Sequence, residues 1–315
     1  MKIVDLHSDT MWGCWNGRLS SLRKNNGHID LEKLQKGGSL CQFFALYIDW
    51  PNHKELRPYE IYCGMLETFK NEMASNADVI VQAYNYNDIV KNKADGKISA
   101  ILAIEDGACF EGRIERVQQA YDQGVRHVGI MWNFENEIGF PCSADDRLHG
   151  KGLKKFGFGV IEEMNRLGMI VDLAHSSKGV FMDVAAMKNI PLVSSHSYAR
   201  TVRNHHRNLD DEQLKQIGES GGIVGIGYDG TFLNYDCFPF TYDRAIEHMK
   251  HIVDKAGIES LAFGSDSDGL ETLGELGDFS NYPVFIERME KHFTGREIDL
   301  ISYGNALRII RDVIK

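Results

Sequence analysis

Side chains that can do chemistry stand where the apolar segments of this sequence end. The opening segment IVDLHSDT, residues 3 to 10, carries an imidazole and a carboxylate one residue apart at the end of its apolar run. Later apolar runs end in the same way in AILAIEDG, IVDLAHSS, PLVSSHSYAR and LAFGSDSDG. The polar residues at these ends are His7, Asp9, Glu105, His175, His196 and Asp266. Imidazole and carboxylate groups of this kind can bind metal ions and transfer protons.

Brought together, these groups predict a divalent metal site. Three imidazoles and two or three carboxylates, with almost no basic residue at the same positions, would desolvate and repel one another. A divalent cation would neutralise the cluster, and mixed histidine and carboxylate ligands suit zinc or manganese. No cysteine belongs to the set, which argues against a closed structural zinc site. Each residue alone is more simply a hydrogen-bonded loop residue or a helix N-cap, and we expect Asp268 to be such a cap or turn residue.

The elements that must position these residues are predicted to be alternating strands and helices. Short, continuous apolar runs predict strands that are buried on both faces, as in a parallel sheet. Candidate strands span residues 2–9, 41–48, 98–106, 125–132, 169–175, 191–197, 222–228 and 260–266. Amphipathic segments lie between most of them, and several end in glycine, which suits a helix C-terminus. These segments include residues 58–76, 113–124, 156–168, 210–221 and 243–257.

This alternation predicts an α/β fold of the (β/α)8 TIM-barrel class, formed by residues 1–315 as a single domain. An open doubly wound sheet is the alternative. The strand count and the polar residues at the C-terminal ends of the strands favour the barrel, because barrel enzymes build their sites from several strand ends. The tail, residues 283–315, is predicted to form one or two closing helices.

Strand parity predicts which of the candidate residues face the same way. Residues two apart in a strand point to the same side, so His7 and Asp9 share a face and Asp5 lies below them. Asp172 and His175 are three residues apart and are expected to face opposite sides, which makes Asp172 an unpromising partner for this histidine.

Composition excludes several classes of protein. A formal net charge of −10 argues against a nucleic-acid partner, because such partners need a basic face. No apolar run approaches the ~18 residues of a membrane span. The chain has scattered cysteines and no CxxC motif, which is typical of reduced cytosolic thiols. The cysteines are Cys14, Cys41, Cys63, Cys109, Cys142 and Cys237. No signal peptide precedes the first strand, so we expect a cytoplasmic protein.

The strand-end motifs resemble those of the membrane dipeptidase (renal dipeptidase) family, the M19 metallopeptidases of the amidohydrolase superfamily, along nearly the whole chain. The most specific stretches are GLKKFGFGVIEEMNRLGMIVDLAHSS, PLVSSHSYARTVRNHHRNLDDEQL and GSDSDG. The opening HxD motif, here His7-Ser8-Asp9, also distinguishes this family from the many amidohydrolases that open with HxH.

The resemblance implies a site for two divalent metal ions, most often zinc. Carried over, one ion would bind His7, Asp9 and Glu105. The other ion would bind Glu105, His175 and His196. Glu105 would bridge the two ions, because a carboxylate has one oxygen for each of them.

The reaction that the resemblance implies is hydrolysis of a dipeptide by a metal-bridged hydroxide. Glu105 and Asp266 would be the catalytic residues, and Asp266 would accept a proton from the bridging water and deliver it to the leaving amine. Arg207, eleven residues after His196, matches the arginine that holds the C-terminal carboxylate of the substrate. Members of the family also accept D-configured C-terminal residues, so such dipeptides are expected substrates.

One position departs from the family's pattern. The best-known members carry a histidine at the end of the fourth barrel strand, where it helps to hold the substrate or the oxyanion. The segment GIMWNFEN places Trp132 there, and its indole N–H can donate one hydrogen bond, while Asn133 is a second candidate donor to the substrate. Other histidines match no motif and are expected to be structural or surface residues. They are His127, His205 and His206.

Two other functions stay open on the sequence alone. One is an amidohydrolase that acts on a different amide or a lactone, and the other is a barrel that binds metal or peptide without turnover, with Trp132 as the lesion. The segments 49–75 and 229–240 are expected to wall the substrate pocket. A homodimer follows from family analogy only. The chain ends in LRIIRDVIK, so the lipid anchor of the family's animal members is not expected here.

Overall fold

Parallel strands close into a barrel in the computed structural model, which describes residues 2–187, 190–235 and 239–315. The strands are β1 Ile3–Asp5, β2 Ser39–Tyr47, β3 Ile80–Gln82, β4 Ile98–Glu105, β5 Val125–Gly129, β6 Ile170–Asp172, β7 Val193–Ser197, β8 Ile223–Ile226 and β9 Leu261–Phe263. All except β3 form the ring in the order β2, β1, β9, β8, β7, β6, β5, β4, and β2 pairs with β4 to close it. The predicted (β/α)8 barrel is confirmed.

The short strand β3 lies outside the ring and was not predicted. It pairs with the first residues of β4, where Ile80 lies opposite Ile98, while the later residues of β4 pair with β5 from Leu102 onward. β3 therefore extends the sheet beside the start of β4, ahead of the point where β5 begins to pair with it. Only the first of its three residues is buried. Its apolar run is the short segment VIV, residues 79–81, which is flanked by polar residues and was not counted among the candidate strands.

Helices connect most of the strands and cover the outside of the barrel. They are α1 Thr10–Trp15, α2 Leu31–Gly37, α3 Pro58–Ser75, α4 Tyr86–Ala94, α5 Glu115–Asp122, α6 Asp146–His149, α7 Lys155–Leu167, α8 Lys178–Ala186, α9 Asp211–Glu219, α10 Gly230–Leu233, α11 Tyr242–Ala256, α12 Tyr282–Met289, α13 Gly295–Asp299 and α14 Asn305–Val313. Short 3-10 turns occupy Gly107–Phe110, Ile258–Ser260, Gly274–Leu276 and Phe279–Asn281, and a π-helical turn occupies Leu300–Gly304.

Local sequence signals explain several of the helix ends. The side chain of Asp210 accepts a hydrogen bond from the backbone N–H of Gln213, and the Gln213 side chain returns one, so α9 begins with a capping box. α7 ends at Gly168 with a φ of 79°, a left-handed conformation that glycine adopts at little cost. These signals place the amphipathic helices close to their predicted bounds.

The tail closes the barrel with helices, as predicted. α13, the π-helical turn and α14 follow one another without a break from residue 295 to residue 313, and α12 precedes them. Ile309 and Ile310 of α14 are buried in one apolar cluster with Val4, Phe43 and Ile101, which come from three barrel strands. α14 therefore covers the barrel interior on the side of these strand residues.

Burial of both faces of the sheet accounts for the continuous apolar runs. All eight residues of β4 are buried. Alternate side chains along β4 belong to different clusters, because Leu102 and Ile104 pack in the large outer core and Ile101 packs in the cluster that contains α14. A strand with apolar neighbours on both sides has no solvent face, so its sequence does not alternate.

Two further predictions concern the chain as a whole. The cysteines at positions 14, 41, 63, 109 and 142 are free thiols, and Cys237 lies outside the described residues. In the described parts of the chain, no helix has both the length and the apolar character that crossing a membrane requires.

Close contact between three barrel strands depends on two glycines. A Cβ atom at Gly225 of β8, or at Gly264 directly after β9, would overlap the backbone carbonyl oxygen of Ser195 in β7. The backbone on both sides is held in the sheet, so it cannot move aside as a flexible side chain would. Ser195 precedes a candidate metal ligand, so these glycines also fix the level of that ligand in the barrel.

We expect Gly264→Ala to lower the free energy of unfolding by about 3 kcal/mol, because the added methyl group would displace a paired strand. Chemical denaturation of the purified variant measures this change. Gly295→Ala is the matched control, because a Cβ there has no neighbour within 4 Å, and it should stay within about 0.5 kcal/mol of the unmodified chain. Equal stabilities of the two variants would contradict the packing argument.

Candidate metal centre

The predicted metal-binding residues meet at the C-terminal end of the barrel. Glu105 is the last residue of β4 and His196 lies within β7. His7, His175 and Asp266 follow the ends of β1, β6 and β9 by two or three residues. The strands run parallel, so their C-terminal ends open on the same side and bring these side chains together.

Glu105 contacts histidines on both sides through different oxygens. Its Oε2 lies 3.2 Å from Nε2 of His7. Its Oε1 lies 3.2 Å from Nε2 of His175 and 3.7 Å from Nε2 of His196. One carboxylate thus lies between two groups of imidazoles.

His7 also lies close to the two aspartates of the predicted set. Its Nε2 is 3.8 Å from Oδ1 of Asp9 and 3.9 Å from Oδ1 of Asp266. The candidate ligand atoms of His7, Asp9 and Asp266 lie within 4.8 Å of one another, as do those of His7, Glu105 and His196. The side chains of His7 and Asp9 therefore lie together, as parity predicted, but β1 ends at Asp5, before both residues.

The side chains at this site do not satisfy one another's hydrogen-bonding groups, and they suit a divalent cation. Oδ1 of Asp9 is buried without a hydrogen-bond partner among the described residues. Nε2 of His175 and Nε2 of His196 lie only 2.9 Å apart. Buried acceptors without donors are costly, and histidine nitrogens with carboxylate oxygens form the donor set that zinc and similar ions prefer.

Burial shifts the pKa values of the cluster toward the uncharged forms. It raises the pKa of Glu105 to about 8 and the pKa of Asp266 to about 7. Burial, together with the nearby Glu105, also raises the pKa of Asp9 well above its usual value. Burial lowers the pKa values of His175 and His196 well below their usual value. A bound cation would act in the opposite direction on the carboxylates, because it favours their ionised form.

Left-handed backbone conformations occur where the strands give way to the site. His175 has a φ of 64° and Asp266 a φ of 58°, which is uncommon for residues other than glycine. β6 ends at Asp172, so strand parity does not extend to His175. Asp172 is buried and bonds to Ser195, whose hydroxyl lies 2.8 Å from Nδ1 of His196. The prediction set Asp172 aside as a partner of His175, and in the structure it reaches His196 instead.

A cavity of about 250 Å³ opens beside these residues. Its lining consists of Asp9, Trp12, Tyr47, Asp49, Asn52, Glu105, Trp132, His175, Asp266 and Gly269. Of the predicted wall 49–75, only the first residues take part. The predicted wall 229–240 contributes Asp229, Gly230, Thr231 and Pro239 to a neighbouring cavity of about 450 Å³, and residues 236–238 lie outside the described residues. Gly269 lines both cavities.

Trp132 is part of an aromatic wall at this cavity. Its ring centre lies 4.9 Å from that of Tyr47, 5.6 Å from that of Phe134 and 6.3 Å from that of His175. Asn133 is exposed, and its side-chain oxygen lies 2.9 Å from Nδ1 of His175. The geometry of Asn133 therefore points to orienting this histidine, and its contact with a substrate stays a prediction.

Arg207 is buried close to the cluster without an acidic partner. Only 5% of it is exposed, and its Nη1 and Nη2 donate to Oγ of Ser197 and the backbone oxygen of His196. Its Nε–H has no partner, and in the part of the chain that the structure describes no carboxylate forms an ion pair with it. A buried guanidinium that lacks a counter-charge is unusual, so it leaves a place for an anion.

Sequence reasoning missed Asp106, which directly follows Glu105. This carboxylate is fully buried with a φ of 80°, and it accepts hydrogen bonds from Nδ2 of Asn136 at 2.7 Å and from Nε1 of Trp50 at 3.3 Å. It thereby ties the loop after β5, which carries Trp132, to the loop after β2. The only signal in the sequence was a second acidic residue in AIEDG.

The remaining calls from the sequence fall outside the cluster. Asp268 is a buried turn residue with a φ of 66°, and it accepts a hydrogen bond of 2.6 Å from the Thr10 hydroxyl, as its predicted turn role requires. His127 is buried 3.5 Å from Asp172. His205 and His206 pack with their ring centres 4.1 Å apart and are partly exposed.

Comparison with known proteins decides the family. The profile of the family described as membrane dipeptidase (peptidase family M19) matches residues 1–315. The chain belongs to this family. It is therefore a metallo-dipeptidase by membership, a hydrolase that acts on a peptide bond and needs a divalent metal.

Individual relatives agree with this assignment. An uncharacterised dipeptidase of Schizosaccharomyces pombe is 30% identical, over 98% of this chain and 79% of the relative. An uncharacterised Klebsiella pneumoniae protein from the pqqA 5′ region is 31% identical, over 81% of this chain and 97% of the relative. A crystal structure of a Rhodobacter sphaeroides metallopeptidase, with a phosphinate mimic of the dipeptide L-Ala-D-Ala, has a TM-score of 0.91 and 23% identity, and 99% of each chain is covered. This last likeness shows the fold.

One glycine permits the two aspartates of the candidate metal centre to lie against the backbone. A Cβ atom on Gly269 would overlap the Asp9 carboxylate and would lie 2.8 Å from Oδ1 of Asp266. Both carboxylates belong to the His7 side of the cluster, so the space at Gly269 controls their placement.

We expect Gly269→Ala to weaken metal binding roughly 10- to 100-fold, because the methyl group would displace Asp9. Metal titration of the chelator-treated protein, followed by calorimetry, measures this change. Gly159→Ala serves as the control, since a Cβ there meets only Cδ1 of Ile114 at 4.0 Å. A metal affinity for Gly269→Ala equal to that of the control would mean that the glycine does not shape the site.

Proposed function

We propose that this protein hydrolyses dipeptides at a centre of two divalent ions, most often zinc. The observation that carries the proposal is the position of Glu105, whose Oε2 faces His7 and whose Oε1 faces His175 and His196. A carboxylate that contacts imidazoles through each oxygen is suited to bridging two cations. Family membership supports the hydrolysis of a dipeptide.

The residues present would hold the two ions in the arrangement predicted from the sequence. His7, Asp9 and Glu105 would bind one, and Glu105, His175 and His196 would bind the other. When bound, the ions would polarise the scissile carbonyl group and lower the pKa of water to about 7 in favourable cases. The buried surroundings exclude bulk water, which strengthens the electrostatic effect of these residues.

Asp266 would exchange protons with the reacting groups. It lines the cavity, 16% of its side chain is exposed there, and its Oδ1 lies 3.9 Å from Nε2 of His7. A carboxylate beside the reaction centre can accept a proton from water and return it to the leaving amine. The raised pKa of Asp266, which bound cations would lower, is compatible with both steps.

Arg207 would bind the C-terminal carboxylate of the substrate. Its guanidinium is fixed by Ser197 and by the backbone of His196, so little order is lost when a ligand arrives. A substrate carboxylate would supply the missing negative charge. It would also accept a hydrogen bond from the unpaired Nε–H, because the planar guanidinium fits a carboxylate. A free C-terminus at the second residue is what distinguishes a dipeptide from a longer peptide.

The substrates proposed here include dipeptides with a D-configured C-terminal residue. Support comes from the similar Rhodobacter sphaeroides structure, which was solved with a mimic of L-Ala-D-Ala. Trp132 would border the bound dipeptide from the aromatic wall and can offer its indole N–H to the oxyanion. This substitution for a family histidine is the one feature that favours another amide or lactone substrate, or loss of turnover.

Three further properties are proposals that rest on the sequence and on the family. Residues 1–315 form a single domain, the protein is cytoplasmic, and it forms a homodimer. Size-exclusion chromatography with light scattering measures the last of these directly.

Hydrolysis of L,L and L,D dipeptides, with metal content determined on the same sample, tests the function. We expect two metal ions per chain and cleavage of at least one dipeptide. Glu105→Gln should lose the two-ion content and the cleavage, because an amide cannot bridge two cations. Glu115→Gln is the matched control, since this glutamate is exposed in the first turn of α5. Two bound ions without cleavage of any dipeptide would reject the dipeptidase and favour a different substrate.

Arg207→Met tests the recognition of the carboxylate. We expect kcat/KM for a free dipeptide to fall about 10- to 100-fold, because a charge-assisted hydrogen bond contributes about 1.5–3 kcal/mol. The corresponding dipeptide amide has no terminal charge and should lose much less. Comparing acid and amide within each variant corrects for any shift of His196, which Arg207 also contacts. Equal losses for acid and amide would contradict this role.

A further inference from the structure

We propose that Asp172 and Ser195 are positioning residues that select the tautomer of His196 and so leave its Nε2 free for a metal ion. Neither residue is a candidate ligand, and nothing in the sequence motifs assigned them a role. The inference rests on the proposed metal centre for its purpose, while the tautomer itself is a property of the protein alone.

The hydrogen bonds of Asp172 leave one arrangement of protons. Its Oδ1 accepts from the backbone N–H of Ser195 at 2.8 Å, and its Oδ2 accepts from the Ser195 hydroxyl at 2.5 Å. The same hydroxyl oxygen lies 2.8 Å from Nδ1 of His196. A hydroxyl has a single proton, which Ser195 donates to Asp172, so its oxygen can only accept from the Nδ1–H of His196.

This arrangement directs the free lone pair of His196 at the candidate centre. With its proton on Nδ1, the ring presents an unprotonated Nε2, which lies 3.7 Å from Oε1 of Glu105. A neutral imidazole binds a metal through an unprotonated nitrogen, and the hydrogen bond at the other nitrogen sets which one that is. Asp172, Ser195 and His196 are all buried, so water does not compete for the hydrogen bonds between them.

His175 follows the same rule with a different partner. Its Nδ1 lies 2.9 Å from the side-chain oxygen of Asn133, which can only accept. Both Nε2 atoms are then unprotonated, and they face each other at 2.9 Å. In the metal-free chain, the hydrogen bonds at the two Nδ1 atoms must outweigh the repulsion between these lone pairs, and a bound cation would remove that repulsion.

The protein contains a second carboxylate–serine pair with the same geometry, but its serine hydroxyl does not contact a histidine ring. Asp5 accepts from the backbone N–H of Ser265 at 2.8 Å and from its hydroxyl at 2.5 Å. The Ser265 hydroxyl then contacts Oγ of Ser267 at 2.6 Å and no ring nitrogen, and Nδ1 of His7 has no partner among the described residues. This pair provides an internal control, because it can stabilise the barrel but cannot set a histidine tautomer.

Asp172→Asn would reverse the chain of hydrogen bonds. The amide oxygen must accept from the Ser195 N–H, so the amide NH2 faces the Ser195 hydroxyl and donates to it. The hydroxyl then donates to Nδ1 of His196, and the ring proton moves to Nε2, where it blocks metal binding. The substitution keeps the size of the side chain, so its main effect is on the direction of these bonds.

Nitrogen NMR of histidine-labelled, chelator-treated protein reads the tautomer directly, and comparison with a His196→Gln spectrum assigns the signal. We expect Nδ1–H for His196 in the unmodified chain and Nε2–H in Asp172→Asn. Metal titration of the same samples should show roughly 10- to 100-fold weaker binding of one ion in Asp172→Asn. Asp5→Asn, the matched control, should keep the Nδ1–H form of His196 while it lowers the thermal stability.

Other outcomes overturn the proposal. An Nε2–H signal for His196 in the unmodified chain would do so even if no variant folds, and so would the same tautomer in both Asp172→Asn and the unmodified chain. Ser195→Ala removes the hydroxyl alone, so His196 should lose its preference for Nδ1–H. Retention of that preference would also reject the hydrogen-bonded series from Asp172 through Ser195 to His196. None of these readouts needs turnover. If the protein shows this tautomer but cleaves no dipeptide, the proposed function is rejected and the role of Asp172 and Ser195 stands.

Discussion

A buried carboxylate surrounded by imidazoles is the constraint on which the rest of this structure depends. Glu105 lies between His7 on one side and His175 and His196 on the other, and all four are removed from water. Burial disfavours the ionised form of Glu105 and the protonated forms of His175 and His196, so the charges of these groups do not balance one another. A divalent cation resolves this imbalance, and the surrounding architecture can be understood as what keeps these groups in place for it.

The barrel supplies that support at several levels. Parallel strands deliver the side chains to one end, and glycines such as Gly264 and Gly269 give the close approaches that set their height. Near the candidate ligands, Asp5 accepts two hydrogen bonds from Ser265, which follows β9, and Asp172 accepts two from Ser195 in β7. Both oxygens of each of these carboxylates accept hydrogen bonds, whereas Oδ1 of Asp9 has no partner among the described residues.

Around this centre, the features that would discriminate between substrates lie in the loops. Arg207 brings a buried positive charge, and Trp132 brings an aromatic surface. Asp106 joins the loops after β2 and β5, so the aromatic wall is held by the residue that follows Glu105. Membership of the dipeptidase family sets the reaction class, and these residues would set the choice among dipeptides.

The sequence by itself determined the fold class and the candidate ligands, because both leave local signals. Apolar runs without alternation predicted strands buried on both faces, and each candidate ligand stands at the end of such a run. Parity also predicted that His7 and Asp9 share a face, and their side chains lie 3.8 Å apart, although β1 ends at Asp5 before either residue. Strand β3 was missed although residues 79–81 form a short apolar run, because only one of the three residues of this strand is buried and no candidate ligand follows it.

Only the tertiary structure decided the partners of these residues. The left-handed backbone of His175 and Asp266 ends strand parity where the site begins, and sequence periodicity carries no information about such a change of φ. Asp172 and Ser195 are 23 residues apart, and Asp5 and Ser265 are 260 apart, so their bonds exist only through the register of neighbouring strands. Residue type and spacing are properties of one segment, whereas a hydrogen bond between strands depends on how two segments are placed, which the closed barrel settles.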